Sequence, residues 1–183
     1  MTPAQARAIQ GAMVGWIEYV IAFAAFLAAH VVPARPGLRG ALIARLGRRG
    51  YVAGFSLLSL GLLYWLILAA GRAPFVVLWD AGQAGRWGVN LAMPCAILLA
   101  VAAPGMAGLI AAFAIWAGAH LLANGDLAHA LMFGVMLGFA LTGAGRLRGA
   151  VWRLTPRRIA VAAAVWAAIL TAHPVVIGVS PLP

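Results

Sequence analysis

The sequence has no lysine, a single cysteine and only three acidic residues in 183 positions. The lone thiol, Cys95, excludes an internal disulfide and a cysteine-rich metal site. It sits in an apolar run and reads as a small buried residue. Charged residues make up 9% of the chain, against roughly 25% in a soluble domain. That deficit excludes an ordinary soluble enzyme and a disordered regulator. The net charge is +10, but the arginines sit between apolar runs and no basic helix carries interleaved aromatics. Nucleic acid is therefore not an expected partner. No GxGxxG, P-loop, HExxH or GxSxG motif is present, so nucleotide and hydrolase chemistry have no support and no catalytic residue stands out.

What the chain has is apolar length. Hydrophobic residues make up 65% of it, and its mean hydropathy is +1.01. A spanning helix needs about 20 mostly apolar residues. Six segments fit or nearly fit, at about 15–33, 51–70, 89–103, 106–122, 127–144 and 158–179. Unbroken runs without period-2 alternation exclude a strand barrel. The expectation is an all-α, polytopic bundle of six membrane-spanning helices, a single transmembrane domain over residues 1–183, with the lipid bilayer as its first partner. Pro104-Gly105 predicts a tight break between the third and fourth helices, and Asn124-Gly125-Asp126 a turn between the fourth and fifth.

All thirteen basic residues are arginine. With the abundance of Ala and Gly, this reads as high-GC bacterial usage and places the protein in a bacterial inner membrane. Ten arginines fall in two loops, 34–50 and 145–158. Four helices separate the loops, so both lie on one side, and the positive-inside rule makes that side cytoplasmic. Both termini are then periplasmic. The first apolar run is too long for a secretory signal and its basic residues follow it, so it reads as a retained span. Gly134 and Gly138 form a GxxxG, a pattern that suits a homodimer face.

Ionisable residues inside a membrane are costly and usually functional. Glu18, Asp80, His120, Asp126, His129 and His173 map to the outer half; His30 maps to the inner end. Glu18 and His129 lie within a turn of a boundary and are expected to reach water. Asp126 opens the fifth helix and suits its N-cap. His120 and Asn124 share one helix face, which fits either a structural hydrogen bond or a ligand role. His173 precedes Pro174 and either satisfies a freed carbonyl or acts as a ligand. His120 and His173 lie on different helices at similar depth, the arrangement that a bis-imidazole b-type haem, or a bound iron, copper or zinc, requires. His30 and His120 lie about 20 Å apart along the membrane normal in this topology, from the rise per helical residue.

The run His120-Leu-Leu-Ala-Asn-Gly-Asp126, followed by Leu-Ala-His-Ala-Leu-Met-Phe-Gly134, resembles the signature of the NnrU family of small bacterial multipass membrane proteins. Phe26-Leu-Ala-Ala-His30, Arg49-Gly-Tyr51 through Ser59-Leu-Gly61, Thr155-Pro-Arg-Arg158 and the segment from His173 to Pro183 are similar to other parts of the family. The resemblance spans nearly the whole chain. It implies a link to nitrite and nitric oxide metabolism. It also implies kinship with 15-cis-zeta-carotene isomerase, a haem b membrane enzyme that isomerises a carotene double bond without net redox change. By that resemblance His30 and His120 are haem ligands, haem b is the cofactor and an apolar molecule entering from the lipid is the substrate. Met106-Ala107-Gly108 stands where the family commonly has Arg-His-Pro, and Ala117 where the isomerase has an alternative cysteine ligand. The expected site therefore comprises His30, His120 and His173 as iron ligands, with Asn124 and Asp126 orienting His120. The alternative is a non-catalytic membrane module that supports a respiratory or denitrification complex.

Overall fold

The computed structural model describes residues 2–33, 35–103 and 105–182. Met1, Ala34, Pro104 and Pro183 lie outside the described residues, and with Pro104 half of the expected break between the third and fourth spans. Among the described residues the chain is all-helical, with one isolated β-bridge and no strand. It divides into two compact units, Met1–Pro74 and Phe75–Pro183. Helices are required because hydrocarbon offers no partner to a backbone amide or carbonyl.

The first unit is a pair of helices, α1 (Pro3–Val31) and α2 (Pro36–Arg72). Helix α1 starts well before the expected boundary. Thr2 caps it: its hydroxyl accepts from Gln5 N at 3.2 Å, and Gln5 Oε1 accepts from Thr2 N at 2.8 Å, a reciprocal capping box. Its buried face carries Tyr19, Ala22 and Phe26, which recur at helical spacing; α2 buries Leu66, Ala69 and Ala70. The backbones meet closely at Gly15, where a Cβ would lie 2.6 Å from the Arg72 carbonyl oxygen. One turn further along, Glu18 receives Arg72 Nε at 3.0 Å and Trp65 Nε1 at 3.2 Å. Glu18 is therefore paired across the hairpin rather than simply open to water, and Arg72 lies in the last turn of α2. A paired charge costs far less inside a membrane than an isolated one.

The arginine-rich stretch expected as a loop at 34–50 is helical from residue 36 onward, interrupted at Gly47 (φ 69°, ψ 163°). Arginine is a good helix former, so a run of charge can end an apolar segment without ending the helix.

The second unit holds α3 (Gly82–Ala102), α4 (Met106–Ala123), α5 (Leu127–Thr142) and α6 (Pro156–Val176), with a short 3-10 turn at Ala144–Leu147. Helix α3 begins seven residues before the expected start at 89, because Asp80 Oδ1 takes the Gly82 amide at 2.8 Å and closes the preceding turn. Cys95 is exposed on α3, not buried as expected. Helices α3 and α4 form a hairpin, turned at Gly105 (φ 74°). Their closest approach is at Gly108, where a Cβ would lie 2.6 Å from the Leu99 carbonyl oxygen. Gly134 and Gly138, by contrast, approach nothing within 4 Å. Helix α5 buries Met132, Phe133, Met136 and Ala140 and packs against α4.

Thr155 caps α6 by accepting from Arg158 N at 3.3 Å. The Arg158 guanidinium donates to the carbonyls of Ala102 (2.8 Å) and Arg153 (2.9 Å). The start of α6 is thereby tied to the end of α3, where orphan carbonyls need donors. Among the described residues, five helices are long and apolar enough to cross a membrane. Helix α5 has 16 residues, or about 24 Å at 1.5 Å per residue, and is shorter than a typical hydrocarbon core of about 30 Å.

Two substitutions separate a close backbone approach from an open one. Gly108→Val forces α3 and α4 apart and is expected to destabilise by about 1–3 kcal/mol, the usual cost of overpacking. Gly134→Ala is expected to change stability little. Thermal unfolding of the two variants in detergent checks the contrast.

Candidate functional site

The turn after α4 organises the second unit. Asn124, Gly125 and Asp126 each perform a different task there. Asn124 Nδ2 donates to the His120 carbonyl at 2.8 Å, which also accepts the Asn124 main-chain amide at 2.9 Å. Asp126 is the N-cap of α5, as the sequence suggests. One of its carboxylate oxygens accepts the His129 amide at 3.2 Å, and the other accepts His129 Nδ1 at 2.7 Å. Asp126 is one of two buried polar residues of the chain's described part, the other being Asn90.

Gly125 allows residues 75–80 to close over this turn. Its carbonyl accepts from Leu78 N (2.7 Å) and Trp79 N (3.1 Å), while Leu127 N donates to the Val76 carbonyl at 2.9 Å. A Cβ at Gly125 would lie 1.8 Å from the Trp79 carbonyl oxygen. No side chain fits there. Trp79 Nε1 also donates to the Leu122 carbonyl at 3.0 Å, so an indole covers the last turn of α4. At the chain's other end, Asn90 Nδ2 donates to the carbonyls of Arg86 and Pro181 and holds the C-terminal segment against α3.

These contacts border an open cavity of about 580 Å³, within the usual 300–1,000 Å³ of small-molecule sites. Phe75, Val77, Trp79 and Val89 give it apolar walls, and Asp80, Arg86, Asn124, Asp126 and Ser180 add polar atoms. His120 and His173 both line it. Two residues expected from sequence to share a depth on different helices thus share a cavity. His30 belongs to the first unit, so the ligand pair implied by the family resemblance, His30 with His120, is not assembled within either unit alone.

The histidine rings are held by backbone carbonyls. Nδ1 of His120 donates to the Trp116 carbonyl at 2.9 Å, one helical turn back. Nδ1 of His173 donates to the Val179 carbonyl at 2.7 Å, and that of His30 to the Phe26 carbonyl at 2.7 Å. A carbonyl can only accept, so in the neutral ring the proton sits on Nδ1 and the Nε2 lone pair is left for a ligand. The orienting group of the His120 ring is therefore Trp116, not the expected Asn124 and Asp126: Asn124 acts on the His120 main chain, and Asp126 engages His129. His173 bonds a carbonyl beyond the end of α6 rather than one freed by Pro174. The His120 ring also packs 5.2 Å from the Phe133 ring and 5.4 Å from Trp116, centroid to centroid, which restricts its rotation further.

Among the described residues no three His, Cys, Asp or Glu side chains form a cluster able to hold a bare metal ion. The site offers two imidazoles and an apolar slot instead of a closed ligand cage. Sequence reasoning had not included Trp79, Arg86 or the 179–181 segment. Arg86 carried a signal, being one of the few arginines outside the two basic stretches; the other two depend on non-local contacts.

A family model described as NnrU protein matches residues 18–181. The chain belongs to the NnrU family. The match runs through both units and includes every candidate site residue. No curated protein and no solved structure matches this NnrU-family chain.

Gly125→Ala is expected to dislodge residues 75–80 from the turn and to destabilise the chain by about 1–3 kcal/mol or more, because the clash is with backbone rather than with a flexible side chain. Thermal unfolding combined with limited proteolysis of the 75–80 segment checks it. Faster cleavage there than in the parent protein is the expected outcome.

Proposed function

We propose that this NnrU-family membrane protein binds haem b in the cavity lined by His120 and His173. The observation that carries the reading is that two imidazoles, each with Nδ1 committed to a backbone carbonyl, line one cavity. Imidazoles with fixed tautomers are pre-organised ligands for iron. The remaining lining suits the rest of such a cofactor. Phe75, Val77 and Trp79 supply apolar surface for a macrocycle, and Arg86 supplies a cation for carboxylate substituents. When bound, the haem would supply an iron centre with access to two oxidation states. His120 and His173 would hold the iron, Trp79 would help exclude water from the cavity, and an apolar substrate would enter from the lipid. An isomerase-like reaction and a role in nitrite or nitric oxide metabolism are the two activities that the family suggests for it. The location that goes with this reading is a bacterial inner membrane, with the arginine-rich stretches cytoplasmic and both termini periplasmic.

A second reading is favoured by a different observation. Asp80, Asn124 and Asp126 all bond to main-chain groups, as expected of polar residues that pin helices. On that reading the protein is a non-catalytic module supporting a respiratory or denitrification complex.

An absorption spectrum of the detergent-purified protein, oxidised and dithionite-reduced after expression with added haem, separates the two. A stoichiometric b-type spectrum is expected, with the Soret band lost in His120→Ala, altered in His173→Ala and kept in His129→Ala. A folded but colourless protein overturns the haem reading. A partner protein recovered from native membranes with that colourless protein would support the module.

A further inference from the structure

Helix α2 is too long for the membrane it crosses. Its 37 residues amount to about 55 Å at 1.5 Å per residue, nearly twice a hydrocarbon core of about 30 Å. Residues 48–72 alone reach about 37 Å on the same rise. The excess is residues 36–46, and the break lies between the two stretches, at Gly47. With φ 69° this position turns the chain where an L side chain would be strained. The Arg39 guanidinium carbon lies 5.8 Å from the Tyr51 ring centroid. On a straight helix residues twelve apart sit about 18 Å from each other along the axis; the break lets them meet. Tyr51 is itself anchored, its hydroxyl donating to the Pro33 carbonyl at 3.3 Å.

The arm so formed has two chemistries. Leu38, Leu42 and Leu46 recur every fourth residue along one line of the helix, and Leu38 and Leu46 are 41% and 57% exposed. Within the first unit this leucine line is largely uncovered. Arg35, Arg39 and Arg45 flank it, and Arg48 and Arg49 follow the break; all five are exposed and form no ion pair among the described residues. Among the described residues each acidic side chain already has another partner. Glu18 pairs with Arg72, Asp126 with His129, and Asp80 accepts the Gly82 amide.

We propose that residues 36–46 form an arm lying in the membrane interface, with Leu38, Leu42 and Leu46 in the acyl boundary and the five arginines on the phosphate groups of anionic phospholipids. A line of leucine flanked by cations is the pattern of an interfacial helix, and arginine stems can rest along apolar surface while their heads reach the phosphates. The guanidinium fork matches phosphate oxygens in geometry as well as charge. Gly47 sets the angle between arm and stem, and Tyr51 sits at the junction, where aromatic residues favour the headgroup level.

The test uses the full chain in vesicles of phosphatidylcholine alone or with phosphatidylglycerol. A fluorophore is attached at Leu42→Cys in a Cys95→Ser background, and its depth is read with lipid-borne and aqueous quenchers. The expected result is lipid-borne quenching that increases several-fold when phosphatidylglycerol is present. A second reading is native mass spectrometry of phospholipid retained after detergent extraction. Phosphatidylglycerol is expected to stay bound to the parent protein, and an Arg39→Gln, Arg45→Gln, Arg48→Gln triple variant is expected to lose most of it. A label open to the aqueous quencher in both membranes overturns the proposal without any arginine variant. So does equal retention of the two lipids. Recovery of RNA or an acidic protein on the arginines, with the label in water, overturns it in favour of a soluble partner.

Discussion

Hydrocarbon neither donates nor accepts a hydrogen bond, and every polar group in this chain has to be placed against that constraint. The backbone answers by becoming helix almost throughout. Several of the few polar side chains answer by taking partners within their own unit, while Ser59 Oγ and Trp166 Nε1 are buried without one. Glu18 takes Arg72 and Trp65 across the first hairpin. Arg158 takes the carbonyls left open at the end of α3. Asn90 reaches the C-terminal segment, and Asn124 the last turn of α4. With so little charge available, the bonds of Glu18, Arg158 and Asn90 also fix tertiary contacts. The ends of the helices, not their apolar faces, carry most of the specific information.

The candidate site is a product of the same constraint. The turn at Asn124-Gly125-Asp126 closes α4, admits the 75–80 segment against bare backbone and opens α5. Three consecutive residues therefore build both a helix junction and a cavity wall. The histidines obey the rule one level down. The rings of His120 and His173 each give the Nδ1 proton to a carbonyl that helix geometry or the C-terminal segment leaves accessible. A structural need, finding a partner for an imidazole N–H, thereby decides which nitrogen is left for a ligand. The reading of this cavity as a haem site rests on that coupling.

Helix α2 shows what happens when helix-forming sequence exceeds membrane thickness. Residues 36–46 stay helical, and glycine at position 47 separates them from the stretch that is long enough to span. The same composition that orients a membrane protein by charge can also furnish it with a surface-lying element, provided a flexible residue stands between the two.

Much of this architecture was legible in the residues. Long apolar runs defined the helices, because spanning length is a property of the chain and of the bilayer and needs no tertiary contact. Asp126 as a cap, the turn before it and the shared depth of His120 and His173 followed from local chemistry and helical rise. Other features lay beyond reach. Residues 36–50 read as a loop because hydropathy reports where a segment sits and not whether it is helical. The early start of α3 depended on Asp80 closing a turn. Glu18 looked like a boundary residue because its partner, Arg72, stands 54 positions away. The tight seat of Trp79 on Gly125 is a contact between distant segments, and the grip of Val179 on His173 depends on how the chain turns after α6; no helical period encodes either. The sequence by itself determined the class, the helices and the supply of polar groups, since these depend on composition and length. Only the tertiary structure decided which polar group meets which, because a partner is chosen by proximity in space.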